Sequence, residues 1–241
     1  MTPTATPGQG LVAAYSFNEG AGGTVNDASG NGINGVIQGA TWTTGGKYGN
    51  ALQFDGSSAY VDLGNPPLLQ ITGSMTWSAW AKAAANPADD GQIVAKSNDD
   101  IGWQLKTSPD TGPHTFGVAV TQTGGSSHTQ RYSTTVRSLN VWYHVAGVYD
   151  AAAGTLNIYV NGALDNGVLV GTVSASQINP AFNVYIGRRT IGPRSIAPYY
   201  FNGVIDELRI YNRALTQAEV QSDMNTPIGE PSPTPTPTPT P

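Results

Sequence analysis

The chain has 241 residues, a net charge of −5 and only 11% charged side chains. It lacks the basic stripe that nucleic acid demands, and no window reaches the ~20 apolar residues of a membrane span. Cysteine is absent, so zinc is a poor expectation, while abundant Gly, Val, Tyr, Thr and Trp favours strands over helices.

In chain order, the opening "MTPTATPG" is rich in proline and threonine. Proline fixes φ near about −65° and removes an amide donor, so this stretch suits an extended spacer. Alternating apolar and polar residues then predict strands at "LVAAYSF" (11–17), "ALQF" (51–54), "YVDL" (60–63) and "MTWSAWAK" (75–82). The pattern continues with "QIVAKS" (92–97), "GWQLKT" (102–107), "TFGVAVT" (115–121) and "WYHVAGVY" (142–149). It ends with "TLNIYV" (155–160), "VYIG" (184–187) and "FNGVIDELRIY" (201–211). Asn161-Gly162 is a tight-hairpin signal. "LTQAEVQSDM" predicts one helix, with Thr216 as N-cap and Glu219 three residues on in a capping box. A second Pro/Thr ladder, "PSPTPTPTPTP", follows.

The expected organisation is a spacer over 1–9, one domain over 10–226 and a second spacer over 227–241. A bead between such spacers reads as one module of a longer, exported bacterial protein. So many strands with one short C-terminal helix predict an all-β, two-sheet antiparallel jelly roll. The first strand and the late strand "VIDELRIY" are expected to lie together.

Several stretches carry a resemblance: "GLVAAYSFNEGAGGTVNDASGNGINGVI", "GNALQFDGSSAYVDLGN", "WYHVAGVYDAAAGTLNIYVNGAL" and "FNGVIDELRIYNRALTQAEV". Together they resemble the laminin-G-like family of concanavalin A-like jelly rolls. The resemblance implies a two-sheet sandwich and a family of carbohydrate-binding modules, adhesion domains and protein-binding domains, found mostly in exported multi-modular proteins.

Period-2 alternation places Asp206 on one face with Val204, Leu208 and Ile210. A buried carboxylate there needs a partner. The loop "NEGAGGTVNDASGNGING" offers Glu19, Asp27, Asn31 and Asn34, an oxygen-only set that suits Ca²⁺. Related jelly rolls often carry a structural calcium between an N-terminal loop and a late strand. The resemblance therefore implies Asp27 and Asp206 as its chief ligands, with Glu19, Asn31 and Asn34 behind them. The alternative is that Asp27 caps a turn and Asp206 accepts from backbone amides. Asp89, Asp90, Asp99 and Asp100 form a second acidic cluster, read as solvated turns.

Sugar recognition needs aromatic faces and planar polar groups. The candidates are Trp103, Tyr132, Tyr199 and Tyr200, with Arg131, Arg188, Arg189 and Arg194; so many arginines would favour an acidic glycan. Trp42, Trp77 and Trp142 are expected in the core, as is a hydrogen-bonded His144. His114 and His128 fall in loops with no visible partner. The E-x-D-x-E spacing of laminarinase-type hydrolases is missing. The sequence thus predicts a non-catalytic module, monomeric in isolation, that binds a polysaccharide or oligosaccharide and carries a structural calcium. The alternatives are an adhesion or spacer module and, third, a glycan lyase or hydrolase.

Overall fold

A computed structural model describes residues 8–98, 100–110, 114–192 and 199–229. The Pro/Thr ladders, Asp99 and Arg194 lie outside the described residues. The chain first forms β1 (Leu11–Tyr15), β2 (Thr24–Val25), β3 (Gly35–Gln38), β4 (Thr41–Thr43), β5 (Ala51–Asp55) and β6 (Tyr60–Asp62). Next come β7 (Met75–Ala83), β8 (Gly91–Ser97), β9 (Gly102–Ser108), β10 (Thr115–Val120), β11 (Thr129–Ser133) and β12 (Tyr143–Asp150). The last strands are β13 (Thr155–Val160), β14 (Ala163–Leu164), β15 (Asn166–Val170), β16 (Tyr185–Ile186) and β17 (Asn202–Tyr211), before helix α1 (Gln217–Asn225).

They make two antiparallel sheets, ordered β14-β13-β12-β7-β17-β5-β4 and β15-β11-β10-β9-β8-β16-β6-β3-β2. β1 adds to the first by pairing with β17, Leu11 against Tyr211 and Tyr15 against Leu208. The jelly roll and the meeting of first and last strands therefore stand as the sequence predicts. So does the hairpin: Asn161 (φ 50°) and Gly162 (φ 76°) both take the left-handed conformation that a two-residue turn requires. The capping box holds too, with Thr216 and Glu219 satisfying each other's backbone amides.

The inner faces interlock through residues such as Tyr15, Phe54, Trp77, Trp103, Phe116 and Tyr149, all essentially buried. Trp77 on β7 meets Trp103 on β9 across the sandwich, ring centroids 5.8 Å apart. Trp42 only packs against this core from a half-buried position. Trp142 lies outside it, half-buried with Lys82 Nζ 4.8 Å over its ring.

The outer face of the eight-stranded sheet is apolar as well. Ala146, Val148, Tyr159 and Tyr211 pack there with Leu215 and with Val220 of α1. The part of that sheet beneath α1 is therefore buried on both sides by the chain itself.

β17 corrects one expectation. Its register against β7 shifts between Asp206 and Arg209, and Glu207 sits at φ 53°. A bulge of this kind inserts a residue and switches the side-chain parity. Ile205, Leu208 and Ile210 consequently face the core, whereas Asp206 turns to the loop at Lys47 and Tyr48. Asp206 does not share a face with Leu208 and Ile210.

Candidate functional site

The outer face of the nine-stranded sheet is built differently. Strand register aligns Gln92, Lys106, Gly117 and Tyr132 in one row, and Gln104, Ala119 and Gln130 in the next. On β9 the alternation sends Trp103 and Leu105 inward and Gln104 and Lys106 outward. The small Gly117 and Ala119 leave space on β10 between the long polar side chains. No helix packs here among the described residues.

Two adjoining pockets result. One, of about 210 Å³, is lined by polar and charged side chains that include Lys106, Asp110, His128 and Gln130. The other, of about 440 Å³, runs past Pro87, Tyr200 and Asn202. Asp89, Asp90 and Tyr199 line both, so together they form one trough. Tyr199 is held in it at φ 51° while its carbonyl accepts the Gln92 amide at 3.0 Å. Non-glycine residues seldom adopt that conformation, and it is maintained here by the strand beneath.

A closed polar network forms the floor. Lys106 Nζ donates to Asp90 (2.8 Å), Asp110 (3.3 Å) and Gln130 (2.8 Å). Tyr132 Oη lies 2.8 Å from both Asp110 and Gln130. Gln92 Nε2 reaches Gln104 Oε1, and Gln104 Nε2 donates to Ser97 at 2.7 Å. Burial raises the Asp90 pKa, and the adjacent Lys106 counters it only in part. At Asp110 burial is outweighed by Lys106 and by hydrogen bonds from Tyr132 and Ser108, so its pKa falls. Burial, then Lys106, lowers His128 to about 4, so its ring is neutral near pH 7 and its Nε2 stands by Ser97 and Gln104.

Asp89, Asp90 and Asp110 bring ligand atoms within 4.8 Å of one another. The ammonium of Lys106 already pairs with two of them, Asp90 and Asp110.

The predicted residues divide sharply. Tyr199 and Tyr200 line the trough. Trp103 does not, being a core residue 1% exposed. Tyr132 is buried in the network with its ring covered, so it cannot offer a stacking face. Arg131 is spent on the carbonyls of Leu156 and Gly167. Arg188 is stacked on Tyr60 (3.9 Å) and Tyr185 (4.2 Å) beside the trough. Arg189 lies 4.0 Å over Tyr199 and lines the polar pocket. His144 is buried as expected, 5.5 Å from Trp80, but neither of its ring nitrogens has a hydrogen-bond partner. Asp90 is not a solvated turn residue. Together with Lys106, Gln104, Gln130 and His128, it is what sequence reasoning missed. The available signal was the long polar side chains at alternate positions in the middle of "GWQLKT" and "TQRYS".

Of the expected calcium ligands, Glu19, Asp27 and Asp206 do not form a group of three carboxylates within 4.8 Å. Asp27 accepts four hydrogen bonds, from the amides of Ala14, Ser29 and Ile33 and from the Ser29 hydroxyl. Asn34 Oδ1 accepts the Asp27 amide, and Asn31 Nδ2 donates to Leu11 and Val12 carbonyls. Asp27 thus caps its turn, with each carboxylate oxygen accepting two bonds. Asp206 accepts from Lys47, Tyr48 and Glu207 amides, and burial still lifts its pKa to about 6. Glu19 accepts the Asn26 amide through Oε1 and keeps a buried Oε2 with no partner.

A sequence profile of the Laminin_G_3 family, in the concanavalin A-like lectin/glucanase superfamily, matches residues 55–221. The chain belongs to this family. Among curated proteins no sequence match was found. Of the solved structures similar to this laminin-G-like domain, one is the binding domain of Paraclostridial Mosquitocidal Protein 1. It has a TM-score of 0.71 and 14% identity over 91% of this chain and 53% of that one. Domain 4 of AbnA, an extracellular GH43 arabinanase of Geobacillus stearothermophilus, in complex with arabinotriose, gives 0.64 and 23% identity, covering 89% and 98%. A sialidase of Trypanosoma rangeli gives 0.59 and 18%, covering 90% of this chain and 33% of its own. The laminin-G-like domain thus spans about half of the toxin binding domain and nearly all of the arabinanase domain. At these identities the likeness speaks to the fold.

Proposed function

We propose that this domain is a non-catalytic carbohydrate-binding module of an exported, multi-domain protein, holding a polysaccharide or oligosaccharide segment in the trough. The observation that carries this is the trough itself, where a polar floor of fixed hydrogen-bonding groups meets Tyr199 and Tyr200. A saccharide needs that combination, an apolar face against its C–H side and directional groups for its hydroxyls. Arabinotriose bound to the similar arabinanase domain supports the choice of ligand class. Pro/Thr spacers suit a tethered module, since tethering makes an attached domain's encounter with its polymer local.

Hydrolysis is disfavoured. The spacing of Asp90 and Asp110 alone would suit a retaining glycosidase. The space between them, however, holds Lys106 Nζ, bonded to both. A scissile bond has no room there. Adhesion to a protein is the second reading, favoured by exposed Val168, Leu169 and Val170 on the edge strand β15.

A polysaccharide screen with the isolated domain tests the proposal. Tyr199→Ala is expected to weaken any saturable hit about tenfold, the ~1.4 kcal/mol of one aromatic face, with a small fall in Tm because Arg189 stacks on the same ring. Binding that ignores this substitution would move the site off the trough.

A structural calcium is proposed on a reduced ligand set, far from the sugar in role. Glu19 Oε2 is unpartnered and buried, and Asp206 still has acceptor capacity. The loop 45–50 touches both regions, through Asn50 to Asn18 and through Lys47 to Asp206. These residues would hold the ion, which would tie the N-terminal loop to β17. Chelation is expected to lower Tm by several degrees through loss of ligand-linked stability. An unchanged Tm after exhaustive chelation would remove the ion.

A further inference from the structure

We infer that the trough takes its saccharide as a hydrogen-bond donor, and so selects neutral or ammonium-bearing sugars over carboxylated or sulfated ones. This rests on the carbohydrate-binding reading and narrows its ligand class. The groups on the floor show why. All three N–H bonds of Lys106 are directed at protein acceptors. The Gln92 amide nitrogen bonds to Asp90 and Gln104, and that of Gln104 bonds to Ser97. Tyr132 donates within the network, and the His128 ring is uncharged.

Apart from the Arg189 guanidinium stacked over Tyr199, the groups that face an incoming ligand are acceptors. Asp89 and Asp110 are both exposed at the polar pocket, the Asp110 side chain by 36%, so carboxylate oxygens face whatever enters. Sugar hydroxyls, or an ammonium, satisfy them; a carboxylate or sulfate brings only more acceptors. Charge points the same way. Among the described residues, three carboxylates, Asp89, Asp90 and Asp110, line the trough against two cations, Lys106 and Arg189. An added anion meets a net charge of −1 (two positive, three negative) in a site where water screens poorly.

The arginine count of the sequence pointed to acidic glycans. Of the arginines behind that expectation, Arg131 is bonded to carbonyls, Arg188 is held in a tyrosine stack, Arg194 lies outside the described residues, and Arg189 lines the trough over Tyr199.

The experiment is titration of the intact chain with matched pairs: mannan and alginate, dextran and dextran sulfate, chitin and chitosan oligosaccharides. Within the pair that binds, the neutral or ammonium form is expected to bind at least tenfold more tightly than an acidic counterpart. Asp89→Asn, at an exposed position that leaves the buried network intact, is expected to narrow that gap. Equal or tighter binding of the acidic form, lost in Tyr199→Ala, would overturn the donor rule while leaving the saccharide site in place. No binding by any glycan in the panel would overturn the saccharide reading itself, and this inference with it.

Discussion

Trp103→Ala is expected to destabilise the domain by about 3–5 kcal/mol, the usual cost of emptying a large aromatic site in a packed core. Trp103 is 1% exposed and stands on β9 against Trp77 of the opposite sheet. Its Nε1 has no hydrogen-bond partner, so the loss is one of packing between the two sheets. Since a domain of this kind holds only about 5–15 kcal/mol in total, the variant should sit close to its unfolding midpoint. Urea denaturation checks this, with a lower midpoint and an unchanged slope. Trp103→Phe keeps an aromatic ring and much of the volume, and should lose less than half as much. The competing assignment of Trp103 as a sugar platform predicts the reverse, a normal midpoint with binding abolished.

That residue also shows how far the sequence could be read. The strand pattern of "GWQLKT" was plain, and it already put Trp103 and Leu105 on one face. Position in the alternation, not the chemistry of the indole, decides where this tryptophan goes. Most long strands, the Asn161-Gly162 hairpin and the Thr216–Glu219 cap were legible because local chemistry specifies each of them. Strands such as β2, β14 and β15 were not. They are short or lie at sheet edges, and pairing rather than pattern defines them. The β17 bulge was hidden as well, since a single inserted residue leaves no local mark in "VIDELRIY" yet inverts the placing of Asp206. Tyr199 and Tyr200 were found because an aromatic pair in a loop is unusual. The floor beneath them depends on register between β8, β9, β10 and β11, so Asp90 finds Lys106 only after the sheet is assembled. The carboxylates assigned to calcium show the same limit. Asp27 looks like a ligand by type, but in the fold four backbone and hydroxyl donors take its lone pairs.

Lys106→Met is expected to cost about 3–5 kcal/mol at pH 7, because it strips the cation from a buried carboxylate. Lys106 and Asp90 are 3% and 5% exposed at their side chains and 2.8 Å apart. Coulomb attraction between them offsets desolvation of both charges, and neither is comfortable alone. The penalty should depend on pH in a definite direction. Burial raises the folded-state pKa of Asp90 even with Lys106 present, and removing the ammonium raises it further. A carboxyl whose folded pKa lies above its unfolded value contributes stability that is full below the unfolded value and lost as pH rises through the folded one. The deficit of Lys106→Met should therefore shrink as pH falls from 7 towards 4. Adding Asp90→Asn to Lys106→Met removes the stranded charge and should recover much of the loss, giving a coupling energy well outside the additive range of ~0.5 kcal/mol. Urea midpoints of the wild type, both singles and the double, at two pH values, measure all of this. A small, pH-independent loss in Lys106→Met would mean that Asp90 is not held as a carboxylate by this lysine. The polar floor of the trough would then need a different account.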